Sequence, residues 1–229
     1  MTIAANHREI WAVVPVKRLH LAKQRMAPML SQSERTMLAR VMLQDVLATL
    51  GAAELAGIMV VSSDPMAEEL AKQFQARVVA DASESGINDA LRHGLVSLDR
   101  KLSPLIVPAD VPFATVAEIQ VIIKSIEHHD AALASAHADG GTNALAMRTS
   151  DLLAPSFGTD SHARHLAAAR QKNLRIEMLR LDGLGFDLDR PEDLMVAAKT
   201  NDHSLTAAFL AELNIAARLS ALPKAVRFM

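Results

Sequence analysis

The most informative stretch of this sequence is Leu105-Ile106-Val107-Pro108-Ala109-Asp110-Val111-Pro112. Its three branched apolar residues predict a buried strand, and the prolines on either side of Asp110 end that strand abruptly. In an open α/β sheet, ligands bind in the crevice at the carboxyl ends of the strands. A carboxylate in that crevice is well placed to hold a hard divalent cation against phosphate oxygens. The alternative interpretation of Asp110 is an ordinary turn former after a strand.

Strands and helices alternate through the first half of the chain, which predicts βαβ units and a parallel sheet with right-handed crossovers. The predicted strands cover residues 10–16, 58–61, 77–80 and 105–107, and the predicted helices cover 33–50, 65–74 and 88–99. Ser33 is the expected N-cap of the first helix, and Gly51 is its expected stop. The second half is less regular, with helices predicted at 115–127, at 161–172 and from 191, and strands at 131–135, 143–147 and 175–181.

The composition favours one soluble α/β domain. The chain has 229 residues, half of them hydrophobic, and a net charge of -2. That charge and an aromatic content of 3% argue against a nucleic-acid partner. Because the sequence contains no cysteine, disulfides and thiolate metal sites are excluded. The polar N-terminus has no signal-peptide pattern, and no apolar run approaches the roughly 20 residues that span a bilayer, so we expect a cytoplasmic protein without membrane contact.

The domain organisation expected from the sequence is a single unit. Residues 1–200 form the domain proper, and residues 201–229 form a helical C-terminal extension of the same domain. The tail from Ser204 to Leu222 is amphipathic, so it packs either on its own domain or on a partner subunit. A homodimer is one expected assembly.

A basic loop follows the first predicted strand. Lys17, Lys23 and Arg25 lie where a nucleoside triphosphate binds in this architecture. Cations there would neutralise the triphosphate and the departing pyrophosphate. The usual glycine-rich phosphate cradle is missing, so backbone amides would contribute less. The alternative is a solvated basic loop.

A second group of carboxylates occurs late in the chain. Asp187 and Asp189 are two positions apart, so on an extended segment they point to the same side. If that segment lies beside the Asp110 crevice, three carboxylates could share one or two Mg²⁺ ions. Asp193 falls in the first turn of the helix that opens at Pro191, where interaction with the helix dipole suits it better. Turn and N-cap chemistry is the alternative for Asp187 and Asp189.

A third group of residues suits a small anion. Gly140 and Gly141 form a turn that presents the Thr142 hydroxyl, and Gly158 and Ser161 precede a predicted helix. A helix N-terminus with such donors favours a phosphate or a carboxylate, whereas the alternative is a hairpin turn and a capped helix. The histidines at 162 and 165 lack a nearby third ligand, which makes a zinc site a poor interpretation. His165 is expected to donate to the same anion instead.

Together these motifs resemble the 2-phospho-L-lactate guanylyltransferases, a family that includes phosphoenolpyruvate and 3-phosphoglycerate guanylyltransferases of deazaflavin coenzyme F-420 biosynthesis. The resemblance runs from about Trp11 to Ala198. Its motifs are Trp11-Ala12-Val13-Val14-Pro15-Val16-Lys17 with Ala22-Lys23-x-Arg25, Gly86-Ile87-Asn88-x-Ala90-Leu91, Pro108-Ala109-Asp110-Val111-Pro112, Gly141-Thr142-Asn143-Ala144-Leu145, Phe157-Gly158-x-x-Ser161 and Asp187-x-Asp189-x-Pro191-x-Asp193-Leu194. Gln24 departs from the family, which usually has Ser at that position.

The resemblance implies a fold, a reaction and a set of site residues. The fold is a three-layer, GT-A-like nucleotidyltransferase sandwich of the nucleotide-diphospho-sugar transferase type, with a central mixed, mostly parallel sheet. The reaction moves GMP from GTP onto the phosphate of a small phosphorylated three-carbon acid and releases pyrophosphate. The implied nucleotide-binding residues are Pro15, Lys17, Lys23, Arg25, Gly86, Asn88 and Asp110; the acceptor residues are Thr142, Asn143, Gly158, Ser161 and His165; and the Mg²⁺ ligands are Asp110, Asp187 and Asp189.

Lys17, Lys23, Arg25 and Asp110 are the residues expected to carry catalysis. Two alternatives stay open at this point. One is a nucleotidyltransferase with another acceptor, such as molybdopterin, although the glycine-rich first loop of those enzymes is missing. The other is a catalytically dead nucleotide-binding scaffold. A glycosyltransferase of the same sandwich would require a nucleotide-sugar donor.

Overall fold

A computed structural model describes residues 9–81, 86–200, 203–215 and 217–218 of the chain. The predicted polar N-terminus up to Arg8 and the part of the predicted tail beyond Arg218 lie outside the described residues.

A seven-stranded sheet forms the centre of the described structure, in the order β3-β2-β1-β4-β6-β5-β7. Strand β6 pairs antiparallel with both of its neighbours, and all other pairs are parallel. The predicted mixed, mostly parallel sheet is therefore confirmed. The strands are β1 (Ile10–Pro15), β2 (Gly57–Val61), β3 (Arg77–Val79), β4 (Ser103–Ile106), β5 (Ala131–Ser135), β6 (Thr142–Met147) and β7 (Ile176–Leu179).

Helices cover both faces of the sheet, as the three-layer prediction requires. They are α1 (Gln32–Ala52), α2 (Pro65–Gln73), α3 (Ile87–Val96), α4 (Val116–His128), α5 (Ser161–Gln171), α6 (Pro191–Ala197) and α7 (Leu205–Glu212). Alternate residues of β1 enter two separate apolar cores: Val14 packs in the layer of α1 and α4, and Val13 packs in the layer of α3 and α5. A central strand that is buried on both faces explains the continuous apolar run predicted there.

The N-cap of α1 differs from the prediction. Ser31, not Ser33, caps the helix, because its hydroxyl accepts from the Glu34 N–H while the Glu34 carboxylate accepts from the Ser31 N–H. This reciprocal capping box satisfies two free N–H groups, and Ser33 cannot form it since no acidic residue follows three positions later. Glu34 also pairs with Arg218 at 2.8 Å. The ion pair and the capping bonds hold the pKa of Glu34 at about 2.

Helix α7 packs on its own domain. Its first two N–H groups, on Leu205 and Thr206, donate to the carboxylate of Asp45 in α1 at 2.9 and 2.8 Å. Leu210 and Ile215 are buried in the core beside α1. Of the two packings expected for the tail, against its own domain or against a partner subunit, the structure shows the first as far as Ile215. In the ranges that the structure describes, no helix combines the length and the apolar character needed to cross a membrane.

Candidate active site

The loop that follows β4 and the segment 187–189 meet through a backbone hydrogen bond. The N–H of Leu188 donates to the carbonyl oxygen of Asp110 at 2.9 Å. The Leu188 side chain is buried in the core. Because side chains alternate along an extended segment, Asp187 and Asp189 face away from that core, on the side of the crevice. The segment that contains the late carboxylates therefore lies beside Asp110, which is the condition for the three carboxylates to share a cation.

Lys23 lies between these carboxylates. Its ammonium is 2.8 Å from Asp110 Oδ2 and 3.5 Å from Asp189 Oδ1, and its side chain is only 8% exposed. Burial disfavours the ammonium, but the charges of Asp110 and Asp189 outweigh that cost and raise the pKa of Lys23 above its usual value. Lys23 is therefore a fixed positive charge at neutral pH. Its backbone has a left-handed φ of 52°, which turns the loop back toward the crevice.

Arg25 occupies a more peripheral position than Lys23. Its guanidinium pairs with Asp189 and is 62% exposed. It does not line the cleft in which Lys17 and Lys23 lie. Its predicted contact with the triphosphate stays a prediction, and what the structure provides is an exposed cation that holds Asp189 in place.

Asp187 is connected to strand β6. The Asn143 side-chain amide donates to Asp187 Oδ1 at 3.0 Å. Burial raises the pKa of the Asp187 carboxyl, the nearby charge of Asp110 acts in the same direction, and the Asn143 bond partly offsets them. The ionised form of Asp187 is thus disfavoured by its surroundings, and a bound cation would relieve that cost.

The donor set of the crevice suits Mg²⁺. Carboxylate oxygens are the ligands that this hard cation prefers, and Asp110, Asp187 and Asp189 provide them. Within the described ranges, no three acidic or histidine side chains converge closely enough to form a complete metal cage. Mg²⁺ is usually held by one or two carboxylates, with substrate phosphates and water as its other ligands. The residues present fit that mode of binding.

A cleft of about 570 Å³ adjoins the crevice and runs across the carboxyl ends of the strands β1 to β4. The residues that were predicted to bind nucleotide and that line it are Pro15, Lys17, Lys23, Gly86 and Asp110. Gly86 precedes α3 with a φ of 126°, a conformation that side chains rarely adopt. Among the described residues, the Lys17 ammonium has no ion pair, so it is available to an anion in this cleft.

Asp64 is a positioning residue that the sequence reasoning missed. One of its oxygens accepts from the N–H groups of Met66 and Ala67 and so caps α2, while the other accepts from the Leu19 N–H at 2.8 Å. The buried carboxylate therefore fixes the basic loop onto α2. An Asp-Pro pair before a helix is an N-cap signal, but nothing in the sequence indicates the second bond, which joins residues 45 positions apart.

The side-chain amide of Asn88 is hydrogen-bonded to the backbone of Phe157 and not free to bind a nucleotide. It accepts from the Phe157 N–H at 2.7 Å and donates to the Phe157 carbonyl at 3.1 Å. Asn88 thus ties the helix behind Gly86 to the loop that contains Gly158. Its predicted position near the nucleoside stays a prediction, and the observed contact is to the predicted acceptor loop.

The predicted acceptor residues come together where β6 begins and α5 begins. Ser161 is the first residue of α5, as predicted, and its buried hydroxyl has no hydrogen-bond partner among the described residues. Two N–H groups of the first turn of α5 are already used, because Ser161 donates to the Gly158 carbonyl and His162 to the Gly140 carbonyl. An anion would therefore depend on side-chain hydroxyls more than on the helix N-terminus.

The prediction that His165 donates a hydrogen bond to the anion is wrong. The imidazole has no exposed surface, and both ring nitrogens are used within the protein. Nδ1 lies 3.1 Å from Thr142 Oγ1, and the Ser156 N–H donates to Nε2 at 3.1 Å. Burial, together with the positive charges of Arg164 and His162, lowers the pKa of His165 to about 4. His165 therefore contacts the acceptor residues and not the acceptor.

Comparison with known families decides the reaction class. A family model described as "Guanylyl transferase CofC like" matches residues 10–228. The chain belongs to this family. Membership gives the protein its reaction class, the transfer of a guanylyl group. It decides against the glycosyltransferase alternative.

Curated relatives of this guanylyl transferase carry three acceptor names. A phosphoenolpyruvate guanylyltransferase from Sphaerobacter thermophilus is 40% identical over 80% of this chain and 89% of its own. A 3-phospho-D-glycerate guanylyltransferase from Phenylobacterium zucineum is 34% identical over 84% and 91%. A 2-phospho-L-lactate guanylyltransferase from Methanosphaera stadtmanae is 29% identical over 90% and 91%.

Solved structures confirm the fold of the guanylyl transferase. A protein from Desulfovibrio desulfuricans G20, described as a nucleotide-diphospho-sugar transferase, superposes with a TM-score of 0.72 at 21% identity, over 92% of this chain and 98% of that one. A 4-diphosphocytidyl-2C-methyl-D-erythritol synthase from Anaerococcus prevotii superposes with a TM-score of 0.60 at 12% identity, over 89% and 99%.

Proposed function

We propose that this protein transfers GMP from GTP to the phosphate of a small phosphorylated three-carbon acid. An oxygen of the acceptor phosphate forms a bond to the α-phosphorus of GTP, the bond from that phosphorus to the α–β bridging oxygen breaks, and pyrophosphate leaves. The acceptor phosphate is already an anionic nucleophile, so the site needs no strong general base. Catalysis then rests on alignment and on neutralisation of charge.

The observation that carries this proposal is the convergence of Lys23, Asp110 and Asp189 between two subsites. On one side is the cleft that contains Lys17 and Gly86. On the other side, Asn143 and Asp187 lead to β6, on which the predicted acceptor residue Thr142 lies. A group at the crevice therefore adjoins both a site of nucleotide size and a site with donors for a small anion.

The same convergence supports roles for the cations. Lys23 is held by two carboxylates and so keeps a defined position, whereas the Lys17 side chain lines the cleft without an ion pair to any described residue. Negative charge develops on the departing pyrophosphate, so fixed positive charges near it stabilise the transition state. We assign Lys17 and Lys23 to the phosphates of GTP.

We also propose Mg²⁺ as the metal, held by Asp110 with Asp187 and Asp189. Bound there, Mg²⁺ would neutralise phosphate charge in the reaction. The support is the chemistry of the donors and the excess of carboxylates over cations in the crevice. The proposed setting is the biosynthesis of deazaflavin coenzyme F-420 in the cytoplasm, and a homodimer stays a prediction.

The acceptor follows from the names of the relatives, which give phosphoenolpyruvate, 3-phospho-D-glycerate and 2-phospho-L-lactate. These acids differ by little more than a double bond, a methyl group or the position of a hydroxyl. Pockets with buried polar groups discriminate such differences strongly.

The deciding experiment measures pyrophosphate release with GTP, Mg²⁺ and each of the three acids in turn. CTP, UTP and ATP serve as nucleotide controls, and omission of Mg²⁺ with added chelator tests the metal. Release with GTP and one acid supports the proposal and identifies the acceptor. If folded protein binds GTP but releases no pyrophosphate with any acid, the dead-scaffold alternative replaces it.

A further inference from the structure

The buried imidazole of His165 joins three pieces of the predicted acceptor subsite. It lies on α5, its Nδ1 meets Thr142 at the start of β6, and its Nε2 meets the backbone of Ser156. The Phe157 ring packs edge-on against it, with centroids 5.4 Å apart and an angle of 72° between the planes. The position and the rotation of the ring are therefore both fixed.

The two hydrogen bonds determine where the proton of His165 lies. A backbone N–H only donates, so Nε2 must accept from Ser156 and carries no proton. A neutral imidazole has one N–H, which must then be on Nδ1. The pKa of about 4 keeps the ring neutral near pH 7.

This tautomer in turn determines the direction of the Thr142 hydroxyl. With Nδ1 protonated, the Thr142 hydroxyl cannot donate to it. Its oxygen can only accept the Nδ1–H, which also interacts with the Ser161 backbone, and the hydroxyl proton points elsewhere. Among the described residues, Thr142 makes no second side-chain hydrogen bond. A hydroxyl that is nearly buried and has its proton unused favours an acceptor from outside the protein, and an anion is the strongest such acceptor.

We propose that His165 is a positioning residue that holds Thr142 as a hydrogen-bond donor to the anionic group of the acceptor. This inference rests on the proposed function for the identity of the anion. His165 also has a second structural role, because its hydrogen bond with the Ser156 N–H fixes the loop that leads to Gly158. The imidazole does not touch the acceptor and exchanges no proton with it.

The first test reads the tautomer directly, in the free protein and without any substrate. Long-range ¹H–¹⁵N correlation spectra distinguish an imidazole protonated at Nδ1 from one protonated at Nε2. The chain has nine histidines, so the His165 signals are assigned as those that disappear in His165→Asn. We expect the Nδ1–H form at pH 7. An Nε2–H form, or an imidazolium, overturns the inference whether or not the enzyme is active.

The second test separates positioning from general stability. His165→Phe retains an aromatic ring but has neither ring nitrogen. His165→Asn introduces a side-chain amide whose N–H can donate to Thr142 in place of Nδ1–H. We expect His165→Phe to raise the KM of the acceptor by about ten- to a hundredfold, the loss of one bond to a charged group, and to leave the KM of GTP within about threefold. His165→Asn should recover most of that loss.

His128→Asn, an exposed histidine at the far end of α4, is the matched control and should leave every constant unchanged. Equal acceptor KM values for wild type and His165→Phe overturn the inference. If His165→Phe does not fold, the tautomer and the His165→Asn constants decide. If wild type turns over none of the three acids, the proposed function fails, and the nitrogen spectra still decide the tautomer.

Discussion

The side-chain amide of Asn143 donates to the carboxylate of Asp187 at 3.0 Å and so joins the strand that carries Thr142 to the carboxylates of the crevice. We expect Asn143→Ala to reduce kcat/KM about tenfold, because one bond to a charged group is lost. Asn143→Asp should reduce it further, since it places a second negative charge beside Asp187. Steady-state kinetics at several Mg²⁺ concentrations measure both effects, and equal losses in the two variants would exclude an electrostatic role for the contact.

Asp110 is central to the proposed metal site. Asp110→Asn keeps the size of the side chain and removes its charge, so we expect turnover to fall by about a hundredfold or more with the fold retained. Pyrophosphate release measures the loss, and circular dichroism checks the fold. Glu69→Gln removes an exposed carboxylate on α2 and serves as the control. Full activity in Asp110→Asn would remove this residue from the site.

Lys23 is the buried cation of the crevice. Lys23→Met keeps the length of the side chain but leaves Asp110 and Asp189 without their shared positive partner. We expect kcat/KM for GTP to fall by about a hundredfold or more, the usual scale for removal of a group that stabilises transition-state charge. Lys72→Met, an exposed lysine of α2, is the control. A Lys23 variant with normal kinetics would exclude Lys23 from phosphate binding.

Asp45 anchors α7 through two backbone N–H groups. Asp45→Ala should lower the free energy of unfolding by about 1–2 kcal/mol, the cost of losing a helix cap. The kinetic constants should not change, since both of these hydrogen bonds join α1 to α7 and neither involves a residue of the crevice. Urea denaturation of the variant and of Asp45→Asn, which keeps one acceptor oxygen, gives the comparison. An effect on KM with no loss of stability would contradict this assignment.

His165 makes stability depend on pH. Its pKa is lowered from 6.5 to about 4 in the folded protein, so the unfolded chain takes up this proton first as the pH falls. The stabilisation is complete above pH 6.5 and decreases as the pH falls toward 4. Between pH 7 and pH 5, wild type should lose about 2 kcal/mol more than His165→Phe. Unfolding curves at both values measure this difference, and equal losses would mean that His165 titrates normally.

Local patterns were sufficient to predict the sheet and most helix boundaries. The apolar run at β1 predicted burial on both faces, and Thr115, Pro65 and Pro191 mark helix starts that the structure shows. The cap of α1 was misplaced because two serines compete within three residues, and only the distance to Glu34 selects Ser31. Such a choice depends on a specific pair of bonds rather than on propensity.

The site was predictable as a set of residues and less so as a set of contacts. Motifs placed Asp110, Asp187 and Asp189 together, but they did not show that Lys23 lies among them or that Asp64 fixes the basic loop. His165 shows the reason most clearly. A histidine in the first turn of a helix was expected to meet a ligand, whereas its orientation depends on Ser156 and Thr142, which other segments of the chain provide.

The ion pair between Lys23 and Asp189 joins residues 166 positions apart in the chain. The crevice therefore forms only after β1, β4 and the segment before α6 have all reached their final places. An incompletely folded or truncated chain has no partial version of this site. Because ligands that bind only the native state shift the folding equilibrium toward it, GTP with Mg²⁺ should protect the whole domain against heat and proteolysis, not the basic loop alone.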